Sequence, residues 1–178
     1  MQAMKKAKYI ISFIGLLALY IIPAKAQVLD PKYEALFMYN FTKYIDWPRT
    51  DGHPDFIFGI LGKGDIVTEM QQMAALKLVG SRKIIVKVFE TPDNIEHCHL
   101  LFITKKFSGS LPAAREKLKG MSTLYITESP GMAQNGADIN FIGKVNKIVF
   151  EINTKYLGEN NLQISSTLKN LADKVFEN

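Results

Sequence analysis

A series of short apolar runs, separated by helical patterns, constrains the fold of this chain more than any other feature. Phe56-Ile57-Phe58-Gly59-Ile60-Leu61 is unbroken and apolar. Lys83–Phe89 carries the β-branched residues Ile84, Ile85, Val86 and Val88. His99–Thr104 reads His-Leu-Leu-Phe-Ile-Thr, and Thr123–Thr127 is similar in character. Runs this short, rich in β-branched and aromatic residues and bounded by turn residues, fit strands covered on both faces. Between them, Ile66–Leu76 and Leu111–Leu118 read as helices. Strand and helix in alternation imply βαβ units and a largely parallel sheet. Two later runs, Ala137–Ile142 and Lys147–Asn153, are joined by Gly143-Lys144-Val145-Asn146, spacing that suits a hairpin. The fold expected is a three-layer α/β domain: a mostly parallel central sheet with an antiparallel edge hairpin, flanked by helices.

Local signals fill in the ends. A first helix starts near Pro31, with Asp30 as N-cap and proline at the first helical position. Tyr33, Leu36, Phe37, Phe41 and Tyr44 recur at helical spacing and form one aromatic-rich face, with Asn40 in its middle as a buried amide. Lys32, Ala35, Tyr39, Thr42 and Asp46 fall opposite. Trp47-Pro48 ends this helix, because the residue before proline avoids the helical region. Asp65 is expected to cap the second helix, and Gly120 stands at a natural stop for the third. Ser165 or Ser166 caps a last helix with Leu168, Leu171, Ala172 and Val175 on one face.

The N-terminus predicts export. Lys5, Lys6 and Lys8 precede an uncharged run from Tyr9 to Ile22, then Pro23 and a small-x-small site, Ala24-Lys25-Ala26. Basic, apolar and small-residue regions in that order are the pattern of a cleaved secretory signal over residues 1–26, with a domain over 27–178. The apolar run has 14 residues, where a spanning helix needs about 20, so a retained anchor is the weaker reading. No cysteine follows the cleavage site to take a lipid. Loss of residues 1–26 removes four of the 22 basic residues and none of the 17 acidic ones, so the net charge falls from +5 to +1. A near-neutral domain without a Lys/Arg block does not suit a phosphate backbone, which argues against a nucleic-acid partner. The single cysteine, Cys98, adjoins an apolar run and is expected to pack inward, without an internal disulfide.

Catalytic patterns do not stand out. There is no Gly-x-Ser-x-Gly elbow; Ser108-Gly109-Ser110 is a helix-start loop. Gly62, Lys63, Gly64 and Asp65 lie between a strand and a helix, where α/β proteins bind anions and other ligands, and form a candidate ligand-binding turn. The turn lacks the further glycine of the dinucleotide fingerprint and the Gly-Lys-Ser/Thr of a phosphate loop. In an extended segment His97 and His99 share one face and Cys98 points to the other, so the three cannot grip one metal; the remaining histidine, His53, is distant. No metal, cofactor or catalytic residue is assigned.

Blocks spread over the chain carry a resemblance. Tyr33-Glu-Ala-Leu-Phe-Met-Tyr-Asn-Phe-Thr-Lys-Tyr-Ile-Asp-Trp-Pro48 resembles the opening signature of the YfiR family of periplasmic proteins. Phe58–Gly62, Cys98–Ile103, Ile139-Asn140-Phe141, Val149–Asn153 and Leu162–Ser166 with Leu168, Leu171 and Ala172 follow in the family's order. The resemblance implies a small α/β domain that is not an enzyme. It implies a protein that restrains a membrane-bound signalling partner, typically a diguanylate cyclase, lowers cyclic-di-GMP output and biofilm formation, and is usually a homodimer. Related domains also occur beside sensor kinases. Members with paired cysteines are not matched in that respect, since Cys98 stands alone. Glu151, Asn153, Ser165 and Ser166, on the hairpin and the last helix, are the expected interaction surface. A small-ligand-binding module using Gly62–Asp65 is the alternative, and an unrecognised hydrolase the third.

Overall fold

Phe56–Leu61 (β2) is buried at all six positions, and the sheet is ordered around it. A computed structural model of the chain describes residues 29–48, 52–145 and 147–177. The proposed signal over 1–26 lies outside them. Among the described residues no helix is long and apolar enough to cross a membrane.

In chain order, the helices are α1 (Pro31–Phe41), α2 (Asp65–Leu76), α3 (Leu111–Lys117), α4 (Thr154–Glu159) and α5 (Ser166–Leu171). Besides β2, the strands are β1 (Ile45–Asp46), β3 (Leu78–Val79), β4 (Arg82–Phe89), β5 (Leu100–Ile103), β6 (Leu124–Thr127), β7 (Ile139–Lys144), β8 (Lys147–Asn153), β9 (Gln163–Ile164) and β10 (Lys174–Phe176). The main sheet has eight strands in the order β3-β4-β2-β5-β6-β7-β8-β10. Pairings from β4 through β7 are parallel, the β7–β8 hairpin is antiparallel, and β10 adds a parallel strand outside it. The expected α/β class with a mostly parallel sheet is therefore what the chain forms. The hairpin runs Ile139↔Ile152 to Lys144↔Lys147 and takes Gly143 and Lys144 into the strand.

Two apolar layers cover the sheet. Phe58, Ile60, Leu100, Phe102, Ile126, Phe141, Phe150 and Ile152 meet α1 and α2 through Ala35, Met38, Phe41, Ile66 and Met70. On the other face Ile57, Leu61, Leu101, Ile103 and Tyr125 meet Leu111, Ala114 and Leu118 of α3 and its end. Alternate residues of β2 thus serve opposite cores, as the two-residue period requires. Each fully buried large side chain contributes roughly 1.5–3 kcal/mol. The Phe41 and Phe150 rings meet edge-on, 5.0 Å between centroids.

Several local expectations change. Asp30 caps α1, its carboxylate accepting from the Lys32 N–H at 3.0 Å, but the helix stops at Phe41. Tyr44 lies beyond it in a turn, and Ile45–Asp46 pairs with β9. The buried face of α1 is Glu34, Ala35, Met38 and Phe41, while Tyr33 and Leu36 are 55% and 49% exposed. Apolar residues run most of the way round α1, so periodicity alone did not choose the face. The small Ala35 lets the helix approach the sheet, Phe37 packs at the margin against Phe141 and Phe150, and Tyr33 and Leu36 are left outside. Asn40 is only partly buried, its side-chain oxygen accepting from Lys43 Nζ at 2.9 Å. Gly64 rather than Asp65 occupies the N-cap of α2, at φ 135°, where a side chain would be strained. The last helix is shorter than expected. Ala172 ends it, Leu171 is 60% exposed, and Val175 belongs to β10.

Candidate functional site

Where β2, β5 and β6 end, three loops leave the same edge of the sheet. After β2 come Gly62, Lys63, Gly64 and Asp65; after β5, Thr104, Lys105 and Lys106; after β6, Glu128. The chain passes from β2 to β4 on one side and then returns across β2 to β5 on the other. The gap between β2 and β5 is therefore a topological switch point, where open parallel sheets leave a crevice. A cleft of about 390 Å³ occupies this place, lined by Leu29, Glu34, Lys63, Gly64, Phe102 and Glu128 among others.

Its walls follow from local chemistry. Gly62 is held at φ 126°, and a Cβ there would lie 2.2 Å from Thr104 Oγ1. Thr104 is itself buried and donates its hydroxyl hydrogen to the Leu61 carbonyl at 3.0 Å. The first loop is thus pressed against the second, and glycine is the residue that permits it. Lys63 pairs at 2.6 Å with Glu90, both side chains largely exposed, an arrangement that contributes little stability.

Two carboxyls face the cleft. Glu34, in the first turn of α1, is 3% exposed, and its Oε1 has no hydrogen-bond partner among the described residues. Burial, then the nearby charges of Glu128 and Asp30, push its pKa up to about 8. Glu128 accepts the Lys105 backbone N–H at 2.8 Å; burial raises its pKa against the pull of that bond and of the Lys105 charge. At neutral pH the Glu34 carboxyl holds its proton and offers a donor as well as an acceptor.

Reading the residues in sequence singled out neither glutamate. The signal was present in α1: Glu34, Met38 and Phe41 share one helical stripe, and a charged residue on an apolar stripe marks either a buried partner or a site. It is visible only once Ala35 rather than Tyr33 is known to face the sheet.

The candidate interaction residues are placed differently. Glu151 is half-buried in β8, in register with Asn140 and Lys174. Asn153 is buried. Its side chain caps α4 by accepting from the Lys155 N–H at 3.1 Å, and donates to the Ala133 carbonyl at 2.9 Å. Ser165 caps α5, its hydroxyl accepting from the Leu168 N–H at 3.2 Å, and its own N–H bonds the Tyr44 carbonyl. Ser166 is exposed. Glu151 and Asn153 thus belong to the sheet, and Ser165 to the start of α5, tied through its N–H to the turn after α1.

The three histidines converge, contrary to the distance expected of His53. Its ring stacks on His97 at 4.0 Å, and His97 meets His99 edge-on at 5.0 Å. His99 Nδ1 accepts the Ile57 N–H at 2.9 Å, and its carbonyl accepts Trp47 Nε1–H at 3.1 Å. Among the described residues no three His, Cys, Asp or Glu side chains are placed to hold a metal ion. Cys98 is fully buried on the opposite face, as its alternation with the two histidines predicts.

The profile of the YfiR/HmsC-like family matches residues 31–173, from the start of α1 to the residue before β10. The chain belongs to this family. The matched span holds every sheet strand but β10, so family membership and fold describe the same domain. No curated protein matches the sequence. Among solved structures, an ABC domain in complex with L-Trp from Streptococcus pneumoniae is similar at a TM-score of 0.56 and 7% identity. The match covers 82% of this chain and 60% of that one, and at this identity it speaks for the fold alone. It agrees with the doubly covered parallel sheet found here.

Proposed function

We propose that this YfiR/HmsC-like protein is a periplasmic regulatory binding protein, not an enzyme, that restrains a membrane-bound signalling partner. The observation that carries the reading is the family match over residues 31–173. YfiR-type proteins are periplasmic regulators of diguanylate cyclases. A cyclase that makes cyclic-di-GMP is accordingly the partner of first choice, with a sensor kinase as the second. The signal-peptide pattern over residues 1–26 supports the compartment. The working unit in this reading is a homodimer.

Physically, such a protein acts only through differential affinity. It lowers output if it binds the partner's silent state more tightly than its active state; equal binding shifts nothing. The surface proposed for this contact is Glu151 with the exposed start of α5 around Ser165 and Ser166. Asn153 serves it from beneath as the cap that fixes α4.

The test is genetic and biochemical. Deleting the gene should raise cyclic-di-GMP and biofilm, and restoring the chain should lower both. The chain with its first 26 residues removed should fail to restore. An unchanged cyclic-di-GMP level and an unchanged kinase output after deletion would defeat the reading. Light scattering on the purified protein checks the dimer.

A further inference from the structure

The cleft at the switch point contains groups that the regulatory reading does not use. Glu34 Oε1 is buried there without a partner among the described residues, and buried polar atoms are ordinarily hydrogen-bonded. Glu128 lines the same cleft and raises the cost of a charge on Glu34. An incoming cation would relieve both effects. The rim has the opposite character. Lys105 and Lys106 are exposed in the segment after β5, and α2, twelve residues long, starts at Asp65, whose carboxylate also lines the cleft, behind an N-cap, Gly64, that has no side chain. The first turn of a helix and two ammonium groups together favour an anion. The volume, about 390 Å³, falls within the range of roughly 300–1,000 Å³ typical of small-molecule sites.

We propose that this cleft binds a small zwitterion, an amino acid in the broad sense. Glu34 and Glu128 take its ammonium group, and Lys105, Lys106 and the N-terminus of α2 take its carboxylate. A simple cation would meet the lysines unopposed, and a simple anion would meet the two glutamates. A molecule carrying both charges satisfies the two ends together. On binding, Glu34 gives up its proton to solvent and becomes the carboxylate partner of the ammonium. The proposal stands independently of the regulatory reading, because it concerns the purified chain without any partner.

Thermal-shift and calorimetric titrations test it, using glycine, γ-aminobutyrate and ε-aminocaproate, with acetate and methylammonium as single-charge controls. At about 100 times its Kd, a bound zwitterion should raise Tm by roughly 5–10 °C, and the controls should not. Heats measured in buffers of different ionisation enthalpy should reveal proton release on binding. Glu34→Gln should lower affinity at least ~10-fold and abolish that release, since an amide cannot supply the charge. If Glu34→Gln does not fold, the double variant Lys105→Met, Lys106→Met, at exposed positions, decides the matter by the same loss of affinity. The proposal is overturned if no zwitterion shifts Tm at about 10 mM. It is equally overturned if acetate or methylammonium shifts Tm as far, or if a folded variant of either kind binds with unchanged affinity.

Discussion

Gly62 and Thr104 touch so closely that a single added methyl group on Gly62 would overlap the threonine hydroxyl, at 2.2 Å. This contact joins the loop after β2 to the loop after β5 and shapes the wall of the cleft. Gly62→Ala combines a clash with a backbone conformation that side chains avoid, and should cost ~3 kcal/mol or more. Gly64→Ala shares the positive φ but has open space around its Cβ, so it should cost only ~1–3 kcal/mol. Urea denaturation of the two variants checks the order.

Asp138 should behave as a structural linchpin of the opposite end of the fold. It has no exposed surface and accepts from Arg115 Nη1 at 3.2 Å, Asn160 Nδ2 at 2.9 Å and the Tyr125 N–H at 2.7 Å. The bonds tie α3, β6 and the end of α4 to the start of β7. Arg115→Ala leaves the acid buried without its cation and should destabilise by ~3–5 kcal/mol. A double-mutant cycle with Asp138→Ala should show strong coupling, because each single change strands the other group.

Stability should fall as pH rises through the neutral range, and Glu34 should account for part of the slope. Its pKa stands at about 8 in the fold against an ordinary 4.5, so the folded chain holds a proton that the unfolded chain has lost. The stability this contributes is complete below about pH 4.5 and is lost as pH rises through about 8. Glu34→Gln should flatten the decline between these limits. Denaturation midpoints measured at intervals across that range provide the check, and parallel curves for the two proteins would refute the assignment.

Cys98 should be inert in the folded protein. It is fully buried, and burial pushes its thiol up to about 12. A water-soluble disulfide reagent at pH 8 should label it only as fast as the protein opens. Labelling should become immediate in denaturant. Rapid labelling of native protein would contradict the placement of this thiol against Gly59.

The strands were the most legible part of the sequence. Phe56–Leu61 appears with the bounds its apolar run suggests, and the Lys147–Asn153 half of the hairpin likewise. Both faces of Phe56–Leu61 are covered, so every residue reports burial and the run length is the strand length; Lys147–Asn153 is buried mainly in its second half, and its β-branched and aromatic residues mark its extent. Short pieces such as β1, β3, β9 and β10 were not legible. They exist because a distant partner offers hydrogen bonds, as Gln163–Ile164 does for Ile45–Asp46. The turn Gly62–Asp65 could be read as a candidate ligand site, but its companions Glu34 and Glu128 could not. They lie 28 or more residues away from it in sequence, joined only by the order of the strands.

By itself, the sequence determined the class of fold, the start of α1 at Asp30-Pro31 and the inward packing of Cys98, because each depends on neighbours a few residues away. Tertiary structure decided which face of α1 is buried, that the three histidines meet, and that three loops and a buried glutamate enclose one cleft. A helix apolar on most sides has no preferred face until a sheet is placed against it. A cleft at a switch point has no sequence signature, because the chain reaches it by reversing direction.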